Sequence, residues 1–233
     1  MPSFRYDAKV IQNYPDLVAG VIVASGMSNA PTSPELLQAY QAEQERVKSR
    51  IGSTPLSELA SLGAWRRAIS AFGVSPTKYR SAAEALLRRL TKKGDIPSIN
   101  RLVDIGNLVS IRYGLPVAIF DTRGIQGAIT VHYADGSEAY KDLGSDEIVH
   151  PELGEIIFSD DKQMVVARRW CWRQSATSAA NAATSRAVIT VEAHHENGKA
   201  DIENALSDLL ELLGAHAGGD FKSAVLNADN PAI

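Results

Sequence analysis

The stretch SINRLVDIGNLVSIRYGLPVAIFD, residues 98–121, decides the fold, because the spacing of its apolar residues changes from helical to strand-like. Ser98 can cap a helix whose apolar side chains recur three and four residues apart. Gly106 lies on that apolar face and would let a neighbouring element approach closely, and Gly114 ends the helix. Beyond Pro116 the residues VAIFD are typical of a strand. The stretch predicts a helix that leads directly into a strand.

Helices precede this stretch, and strands follow it. A buried strand, AGVIVAS (19–25), comes first, and the predicted helices are then 34–51 with Ser33 as its cap, 55–72, and 76–93, which begins after Ser75 and stops at Gly94. The later segments that alternate like strands are AITVHYA, EIIFSD, MVVARRWCW and RAVITVEA, before a last helix, DIENALSDLLELLG. No linker separates two halves, so we expect one domain over residues 1–215 and a C-terminal tail over 216–233.

The composition is that of an ordinary soluble globular protein, with 233 residues, 45% apolar and 22% charged. It excludes a disordered, collagen-like or coiled-coil chain. The single cysteine, Cys171, excludes an intrachain disulfide and a multi-cysteine metal site, and it points to a reducing compartment. No apolar run reaches the ~18 residues of a membrane span, and MPSFRYDAKV lacks the apolar core of a signal peptide. We therefore expect a cytoplasmic protein without a membrane partner.

Positive charge is concentrated in one segment of the chain, although the formal net charge is only -3. Residues 66–101 contain nine Lys and Arg residues against Glu84 and Asp95, a local charge of +7 that leaves -10 for the remainder. Such an excess is typical of a surface that binds a polyanion. The alternative is a solvated helix surface, because Glu84 is four residues from both Arg80 and Arg88.

Motifs for metal, nucleotide or serine-hydrolase chemistry do not occur in this sequence. The five histidines lack metal-ligand spacing, and there is no glycine-rich phosphate loop, dinucleotide fingerprint or G-x-S-x-G element. We therefore expect neither a metal nor another cofactor. Cys171 has no signature context and is interpreted as a packed residue rather than a nucleophile.

The most unusual local feature is MVVARRWCWRQ, residues 164–174, where two tryptophans adjoin three arginines. If it is one continuous strand, Arg168, Trp170, Trp172 and Gln174 share a face, and Arg169, Cys171 and Arg173 share the other. The rings could stack on bases or on a ribose while the guanidinium groups hold phosphate. Alternatively, the tryptophans fill the core and the arginines pair with carboxylates such as Asp104 or Asp121.

The run NRLVDIGNLVSIRYGLPVAIFD, residues 100–121, resembles the stretch N-x-V-V-D-x-T-N-Y-V-M-x-E-x-G-x-P-x-H-A-F-D of the B3/B4 tRNA-binding and editing domain in the phenylalanyl-tRNA synthetase beta subunit. The matching residues are Asn100, Val103, Asp104, Asn107, Val109, Gly114, Pro116, Phe120 and Asp121. The segments WRRAISAFGVSPTKYRSAAEALLRRL and GEIIFSDD…RRWCWRQSATSAANAATSRAVITVE are even more similar to free-standing proteins built from this domain. The resemblance covers roughly residues 15–195.

The resemblance implies an α/β (α+β) fold with a central mixed or antiparallel sheet flanked by helices. In the synthetase this domain hydrolyses tyrosine that has been esterified to tRNA by mistake, and its free-standing relatives are thought to act on mischarged tRNA in trans. It also implies tRNA as the partner and no metal. Gly106 replaces the family's pocket threonine, Ala118 replaces its histidine, and a Gly-Gly-Glu element is replaced around Trp172–Gln174. A tyrosine phenol would lose partners here, so we expect a different amino acid.

The leading hypothesis is an RNA-binding domain that hydrolyses aminoacyl-tRNA in trans, without being a complete synthetase. Asn107 and Gln174 are the predicted catalytic residues, which would orient the ester or the water. The predicted substrate-binding residues are Arg80, Arg168, Trp170, Trp172, Arg173, Gly106 and Ala118, and the predicted RNA-binding residues are Arg66, Arg67, Lys78, Arg88 and Arg89. Two alternatives stay open: a noncatalytic module that binds tRNA or an amino acid, and a hydrolase of small amino-acid esters or amides.

Overall fold

The structure, a computed structural model, describes residues 3–233. The six α-helices of the described residues are α1 Ala8–Asn13, α2 Pro34–Ile51, α3 Ala60–Ala71, α4 Ala82–Lys93, α5 Arg101–Tyr113 and α6 Gly198–His216. Their eleven strands are β1 Phe4–Tyr6, β2 Val18–Ser25, β3 Val117–Asp121, β4 Ile129–Tyr133, β5 Tyr140–Lys141, β6 Ile148–Val149, β7 Ile156–Ser159, β8 Val165–Arg168, β9 Arg173–Gln174, β10 Arg186–Ala193 and β11 Asp220–Leu226. No helix among these residues is long and apolar enough to cross a membrane.

Two large sheets form the centre of the molecule, which confirms the predicted α/β class with helices flanking mixed and antiparallel strands. The five-stranded sheet has the order β1-β4-β7-β8-β9, and only its β1–β4 pair is parallel. The four-stranded sheet is antiparallel, with the order β11-β2-β10-β3. Strands β5 and β6 form a separate small pair.

Each face of the four-stranded sheet covers a different hydrophobic core, because successive side chains of a strand point to opposite faces. On β10, Ile189 and Val191 belong to the core beneath α2, α4, α5 and α6. Val188 belongs to the second core, which lies between the two sheets and contains Trp65 and Trp170. The four-stranded sheet therefore separates a helical layer from a layer between sheets.

Helix α5 and strand β3 follow one another as predicted. Asn100 caps the helix by accepting a hydrogen bond from the Val103 amide, whereas Ser98 instead donates to the Asp104 carboxylate. Gly106 does allow a close approach, since a Cβ there would lie 3.2 Å from Ile119 Cδ1 of β3. Gly114 ends the helix in the left-handed conformation.

The predicted third helix starts six residues too early. Ser75 accepts a hydrogen bond from the Lys78 amide, but it closes only a turn, and α4 begins at Ala82 after a second cap, Ser81. The Arg66 guanidinium donates to the Pro76 carbonyl and holds the intervening segment against α3. The predicted helix over 55–72 is likewise divided into a 3₁₀ turn, Leu56–Glu58, and α3.

The prediction of one continuous strand over 164–174 is wrong. Strand β8 ends at Arg168, and Arg169 and Trp170 adopt left-handed conformations with φ of 46° and 61°. The chain then turns back, and β9 pairs with β8. The Glu155 carboxylate accepts hydrogen bonds from the Arg168 side chain and the Arg169 amide, and it thereby stabilises the hairpin. The two predicted faces of alternating residues therefore do not exist.

The segment that we expected to form a tail, 216–233, contains β11. This strand pairs with β2 over its whole length, from Asp220 opposite Ser25 to Leu226 opposite Ala19. Farther on, Ile233 and Phe4 exchange two backbone hydrogen bonds. The C-terminal residues thus make β2 an internal strand of the four-stranded sheet and contact β1 of the other sheet.

Candidate functional site

A pocket of about 70 Å³ lies between the two large sheets, beside the β8–β9 hairpin. It brings together five residues predicted from the sequence: Ala118, Trp170, Trp172, Arg173 and Gln174. The other lining residues are Ala82, Pro116, Val117, Phe120, Phe158, Ala167, Cys171, Thr190 and Glu192. Most of the wall is apolar, so the few polar groups decide what the pocket can hold.

Glu192 is the single carboxylate of the pocket lining, and it is only 2% exposed. Its Oε1 accepts hydrogen bonds from the Tyr6 hydroxyl at 2.6 Å and from Trp170 Nε1 at 2.9 Å. No described residue donates to its Oε2. Burial raises the pKa of Glu192 to about 7, although the two hydrogen bonds act in the opposite direction. The pocket thus contains an acceptor that ionises near neutral pH.

The Trp170 indole is part of this pocket's wall and is fully buried. It makes edge-to-face contacts with Tyr14 and Trp65, at centroid distances of 4.9 and 5.4 Å. The left-handed backbone at Trp170 turns the ring inward, where it donates to Glu192. Trp170 therefore shapes the pocket and orients the carboxylate, and its ring has no free face on which a base could stack.

Besides Glu192, two uncharged polar side chains of the pocket wall, Gln174 and Thr190, have unused hydrogen-bond acceptors. Gln174 Nε2 donates to the Ile119 carbonyl at 2.8 Å and to the Ser178 carbonyl at 2.6 Å, so both amide hydrogens are occupied. No described residue donates a hydrogen bond to its Oε1 or to the Thr190 hydroxyl. Together with Glu192 Oε2, they give the pocket three groups that can accept hydrogen bonds.

A ladder of stacked aromatic and cationic side chains adjoins the pocket; it consists of Lys78, Tyr79, Arg169, Trp172 and Arg173. The Arg169 guanidinium lies 3.8 Å from the Tyr79 ring centroid and 4.7 Å from that of Trp172, and Arg173 lies 4.7 Å from the Trp172 ring. Tyr79 and Trp172 meet edge to face at 5.0 Å. Because Trp172 and Arg173 also line the pocket, the ladder begins at the pocket wall.

Two of the predicted site residues, Gly106 and Asn107, lie on the other face of the four-stranded sheet. A Cβ on Gly106 would lie 3.2 Å from Ile119 Cδ1, whereas Ala118, the preceding residue of β3, lines the pocket. Asn107 lies near the Tyr40 hydroxyl of α2. The alternation of side chains along β3 therefore separates both residues from the pocket, and the structure does not bring Asn107 together with Gln174.

Arg168 is also outside the pocket lining. Its guanidinium donates two hydrogen bonds to the Glu155 carboxylate, at 2.8 and 2.7 Å, and the residue is 7% exposed. This is a buried bidentate ion pair, which corresponds to the alternative interpretation of the arginines, although the partner is Glu155 rather than Asp104 or Asp121. Because its guanidinium group is already paired with Glu155, Arg168 is not available to bind a substrate.

The predicted RNA-binding residues are divided among several surfaces. Arg66 and Arg88 line an open cleft with Arg80 and Lys92. Lys78 belongs to the ladder, with its Nζ 4.9 Å from the Tyr79 ring centroid. The other two lie elsewhere: Arg67 borders a depression beside His194, and Arg89 pairs with Asp95 at 3.6 Å.

The depression beside Arg67 is larger than the pocket, about 870 Å³, but it is open and lined by groups of mixed charge. His195, at its edge, is paired with Asp201 at 2.8 Å. Burial lowers the pKa of His194 to about 3, with His195 as the second cause, so His194 is neutral at physiological pH. The smaller pocket is the better candidate site because it encloses a carboxylate that titrates near neutrality.

Several residues of the matched stretch have structural roles. The buried Asp104 accepts hydrogen bonds from the Thr32 hydroxyl at 2.6 Å, the Ile99 amide at 2.9 Å and Ser98. Asp121 accepts from the Arg123 guanidinium and from the Thr184 hydroxyl. These contacts fix the start of α5 and the end of β3, so this stretch defines the scaffold.

Glu192 and Thr190 are absent from the predicted site. A signal for Glu192 is present in RAVITVEA, where one acidic residue follows a run of apolar and β-branched residues. A carboxylate at such a position is either buried and partnered or functional. Cys171 also lines the pocket, but burial, followed by the nearby Glu192 carboxylate, raises the pKa of its thiol well above the ordinary value. It is therefore protonated at neutral pH, as expected of a packed residue.

The fold and the pocket define an α/β domain whose candidate site lies between two sheets. The chain belongs to the B3/4 domain family, whose model matches residues 64–210. The phenylalanine–tRNA ligase beta subunit of Fusobacterium nucleatum subsp. nucleatum is 26% identical over 176 residues, covering 66% of this chain and 22% of that protein. The corresponding subunit of Photorhabdus laumondii is 31% identical over 86 residues, covering 37% of this chain and 11% of that protein.

A solved structure is similar over almost the entire chain. It is an N-terminal fragment of the phenylalanyl-tRNA synthetase beta subunit from Pyrococcus horikoshii, with a TM-score of 0.47 and 13% identity, covering 95% of this chain and 53% of the fragment. The chain spans 11% to 22% of the length of the two curated relatives described above. The similarity is therefore to one part of a much longer subunit.

Proposed function

We propose that this chain is a tRNA-binding domain that hydrolyses the ester of mischarged aminoacyl-tRNA in trans. The relationship to phenylalanine–tRNA ligase beta subunits supports a tRNA-related role. The observation that carries the hydrolase proposal is the buried Glu192 carboxylate, which lies with two further unused acceptors in a pocket bordered by arginines and aromatic rings. An aminoacyl ester has a cation beside its reacting carbon, and this pocket offers the complementary groups.

The α-ammonium group of the amino acid is the proposed partner of Glu192. An ammonium group donates three hydrogen bonds, and Glu192 Oε2, Gln174 Oε1 and the Thr190 hydroxyl are three acceptors without described donors. Ammonium binding favours the ionised carboxylate, so the ligand lowers the pKa of Glu192 from about 7. The bound amino acid and Glu192 then form a charge-assisted hydrogen bond inside the pocket.

The pocket favours a small amino-acid side chain over an aromatic one. Its volume is about 70 Å³, whereas a cavity of about 150 Å³ is known to hold a benzene ring. Phe120, Phe158 and Trp170 are buried side chains that form part of its wall. The replacement of the family's histidine by Ala118 removes a polar partner at the same wall. We therefore propose alanine-, glycine- or serine-sized residues as the amino acids that are released.

The proposed reaction is attack by water on the ester carbonyl carbon. The water oxygen bonds to that carbon, the bond to the ribose oxygen breaks, and a proton of the water finishes on the ribose. The second lone pair of Gln174 Oε1 would orient the water, and Arg173, at the pocket wall, would stabilise negative charge on the carbonyl oxygen. An aminoacyl ester is already reactive, so positioning and hydrogen bonding can supply the catalysis without a cofactor.

A deacylation panel tests this proposal. Ala-, Gly-, Ser-, Phe- and Tyr-tRNA are incubated with the protein, and ester loss is compared with the spontaneous rate. We expect acceleration with the small amino acids and about 10- to 100-fold loss of kcat/KM in Glu192→Gln, the range of one charge-assisted hydrogen bond. Gln38→Ala, on the exposed surface of α2, is the matched control for Gln174→Ala. Binding of tRNA without acceleration for any ester would show a noncatalytic module, and hydrolysis of free amino-acid esters alone would show the small-molecule hydrolase.

A further inference from the structure

The segment between α3 and α4 connects the ladder to an open cleft of about 320 Å³, here called the basic cleft. Arg66, Arg80, Arg88 and Lys92 line it, together with the Glu84 carboxylate. Four cations against one carboxylate leave a local charge of +3. The remainder of the chain is strongly acidic, so this concentration of charge lies on one limited surface.

Glu84 orients part of the basic cleft and does not neutralise it. This residue is 6% exposed and accepts two hydrogen bonds from Arg66, at 2.8 and 3.1 Å. The second Arg66 nitrogen donates to the Thr77 hydroxyl at 3.0 Å. Arg80 Nε lies 3.5 Å from the same carboxylate but makes no hydrogen bond in the described protein. The buried carboxylate thus preorganises two guanidinium groups at the cleft wall.

Arg88 and Lys92 add exposed charge without protein partners. They are four residues apart on α4, and neither forms an ion pair with any described residue. Like charges at this spacing destabilise a helix, so their placement beside Arg66 and Arg80 carries an energetic cost. A bound anion would remove that cost. Guanidinium groups beside hydroxyls are the groups that bind phosphate oxygens through several hydrogen bonds.

The basic cleft adjoins the ladder because Tyr79 and Arg80 are consecutive residues. Tyr79 contacts Trp172 at the pocket wall, and Ala82, two residues beyond Arg80, lines the pocket itself. A single-stranded nucleic-acid end could therefore place its terminal residue in the pocket, stack on the ladder and lay its backbone across the cleft. The cleft is too open to enclose a free phosphate ion, so its continuity with the ladder favours a chain of phosphates.

We infer that the basic cleft binds backbone phosphates next to the 3′ end of the tRNA whose terminal residue occupies the pocket. This inference rests on the proposed function. It assigns phosphate binding to Arg66, Arg80, Arg88 and Lys92, and it assigns none to Arg67 or Arg89, which lie outside the cleft.

Salt-dependent binding of uncharged tRNA tests the inference. In Arg88→Gln/Lys92→Gln we expect about 10-fold weaker binding at physiological salt and a slope of log K against log salt that is smaller by about 1 to 2, because up to two phosphate contacts are lost. Arg67→Gln/Lys222→Gln changes the net charge equally at exposed positions outside the cleft and is the matched control. It should retain the slope of the unmodified protein.

Two results would overturn the inference: equal slopes for the cleft variant and the control, or no tRNA binding by the unmodified protein. Deacylation measured on the same proteins separates the two proposals. If ester hydrolysis is retained but the cleft variant and the control have equal salt slopes, only the assignment of phosphate binding to the cleft is contradicted. If the cleft variant binds tRNA more weakly and with a smaller slope, but the unmodified protein hydrolyses no ester, only the deacylase proposal is contradicted. Thermal melting of each variant confirms that the binding changes do not reflect unfolding.

Discussion

Two segments of this molecule differ in what their sequences reveal. Residues 98–121 contain the gapless match to the family, yet Asp104 and Asp121 are engaged in hydrogen bonds that fix α5 and β3. Residues 164–174 form the hairpin that contributes Trp170, Trp172 and Gln174 to the pocket. The most recognisable stretch therefore builds the scaffold, while the candidate pocket depends on a turn whose conformation is set by distant residues.

The largest expected effect is a loss of stability on substitution of a hairpin residue, Arg168. Arg168→Ala removes one partner of the buried ion pair and leaves the Glu155 carboxylate without its two guanidinium donors. We expect the free energy of unfolding to fall by about 4 kcal/mol, since breaking a buried ion pair is strongly destabilising. Arg169 Nε, 3.8 Å from the Glu155 carboxylate, is then its remaining cationic neighbour. Urea unfolding measures it. The double variant Arg168→Met/Glu155→Gln removes the charge but keeps an acceptor for the Arg169 amide, so it should recover part of the loss. Failure to recover any stability would point to a role beyond the pair.

A somewhat smaller loss of stability is expected for a substitution in residues 98–121. Asp104→Ala removes the acceptor of the Thr32 hydroxyl and the Ile99 amide and should cost about 3 kcal/mol, because buried donors are left unsatisfied. Asp104→Asn keeps one acceptor oxygen and should cost less than half as much. Folded Asp104→Ala should retain the kcat of deacylation, measured below its unfolding transition. A selective loss of kcat would place Asp104 in the site and remove the distinction between the segments.

Glu192→Gln should raise the free energy of unfolding at neutral pH, in contrast to the two preceding substitutions. Its folded pKa of about 7 exceeds the ordinary value of 4.5, so the native state retains a proton that the unfolded chain releases between these pH values. The contribution of Glu192 is therefore fully favourable below pH 4.5 and is lost as pH rises to 7, by about 3 kcal/mol in total. Glu192→Gln can keep both hydrogen bonds to its Oε1 but cannot ionise.

The measurement is the difference in unfolding free energy between Glu192→Gln and the unmodified protein at several pH values. We expect almost no difference at pH 4 and up to about 3 kcal/mol in favour of the variant at pH 8. Taking the difference cancels the other titrating groups, including His194. A difference that is independent of pH would mean that Glu192 is not buried as described.

The smallest effects are expected at the matched stretch. Gly106→Ala places a Cβ 3.2 Å from the end of the Ile119 side chain, which can shift, and alanine also favours the helix. Stability should therefore change by less than about 1 kcal/mol. Asn107→Ala and Gly106→Ala should each change kcat/KM less than twofold, because both residues lie across the sheet from the pocket. A tenfold loss of kcat/KM in either variant would restore the site predicted from the sequence.

Local signals predicted much of the fold. Pro34 after Ser33 and Gly114 at the end of α5 each act through contacts within a few residues, so the sequence predicts α2, α5 and β3 correctly. The errors have non-local causes. Ser75 and Ser81 are both acceptable caps, and the contact from Arg66 to Pro76 holds the earlier one in a turn. The hairpin after Arg168 depends on Glu155, thirteen residues away.

The candidate site was only partly predictable for the same reason. The unusual composition of residues 164–174 predicts a site there. Four of its predicted site residues do line one pocket: Trp170, Trp172, Arg173 and Gln174. The sequence does not assign Glu192 to the site, because one carboxylate after an apolar run is equally consistent with a buried, partnered group. Its importance depends on burial and on the donors Tyr6 and Trp170, which are distant in sequence.

The amino-acid sequence by itself determined the α/β class, the segregation of basic charge and the family resemblance, because these depend on periodicity, composition and local caps. Only the tertiary structure decided which residues share a site. Alternation along β3 sends Ala118 to one face of the sheet and Ile119 with Gly106 to the other, so residues that are close in sequence are divided by a layer of backbone. The same packing buries Glu192 and moves its ionisation to near neutral pH, a property that no isolated segment possesses.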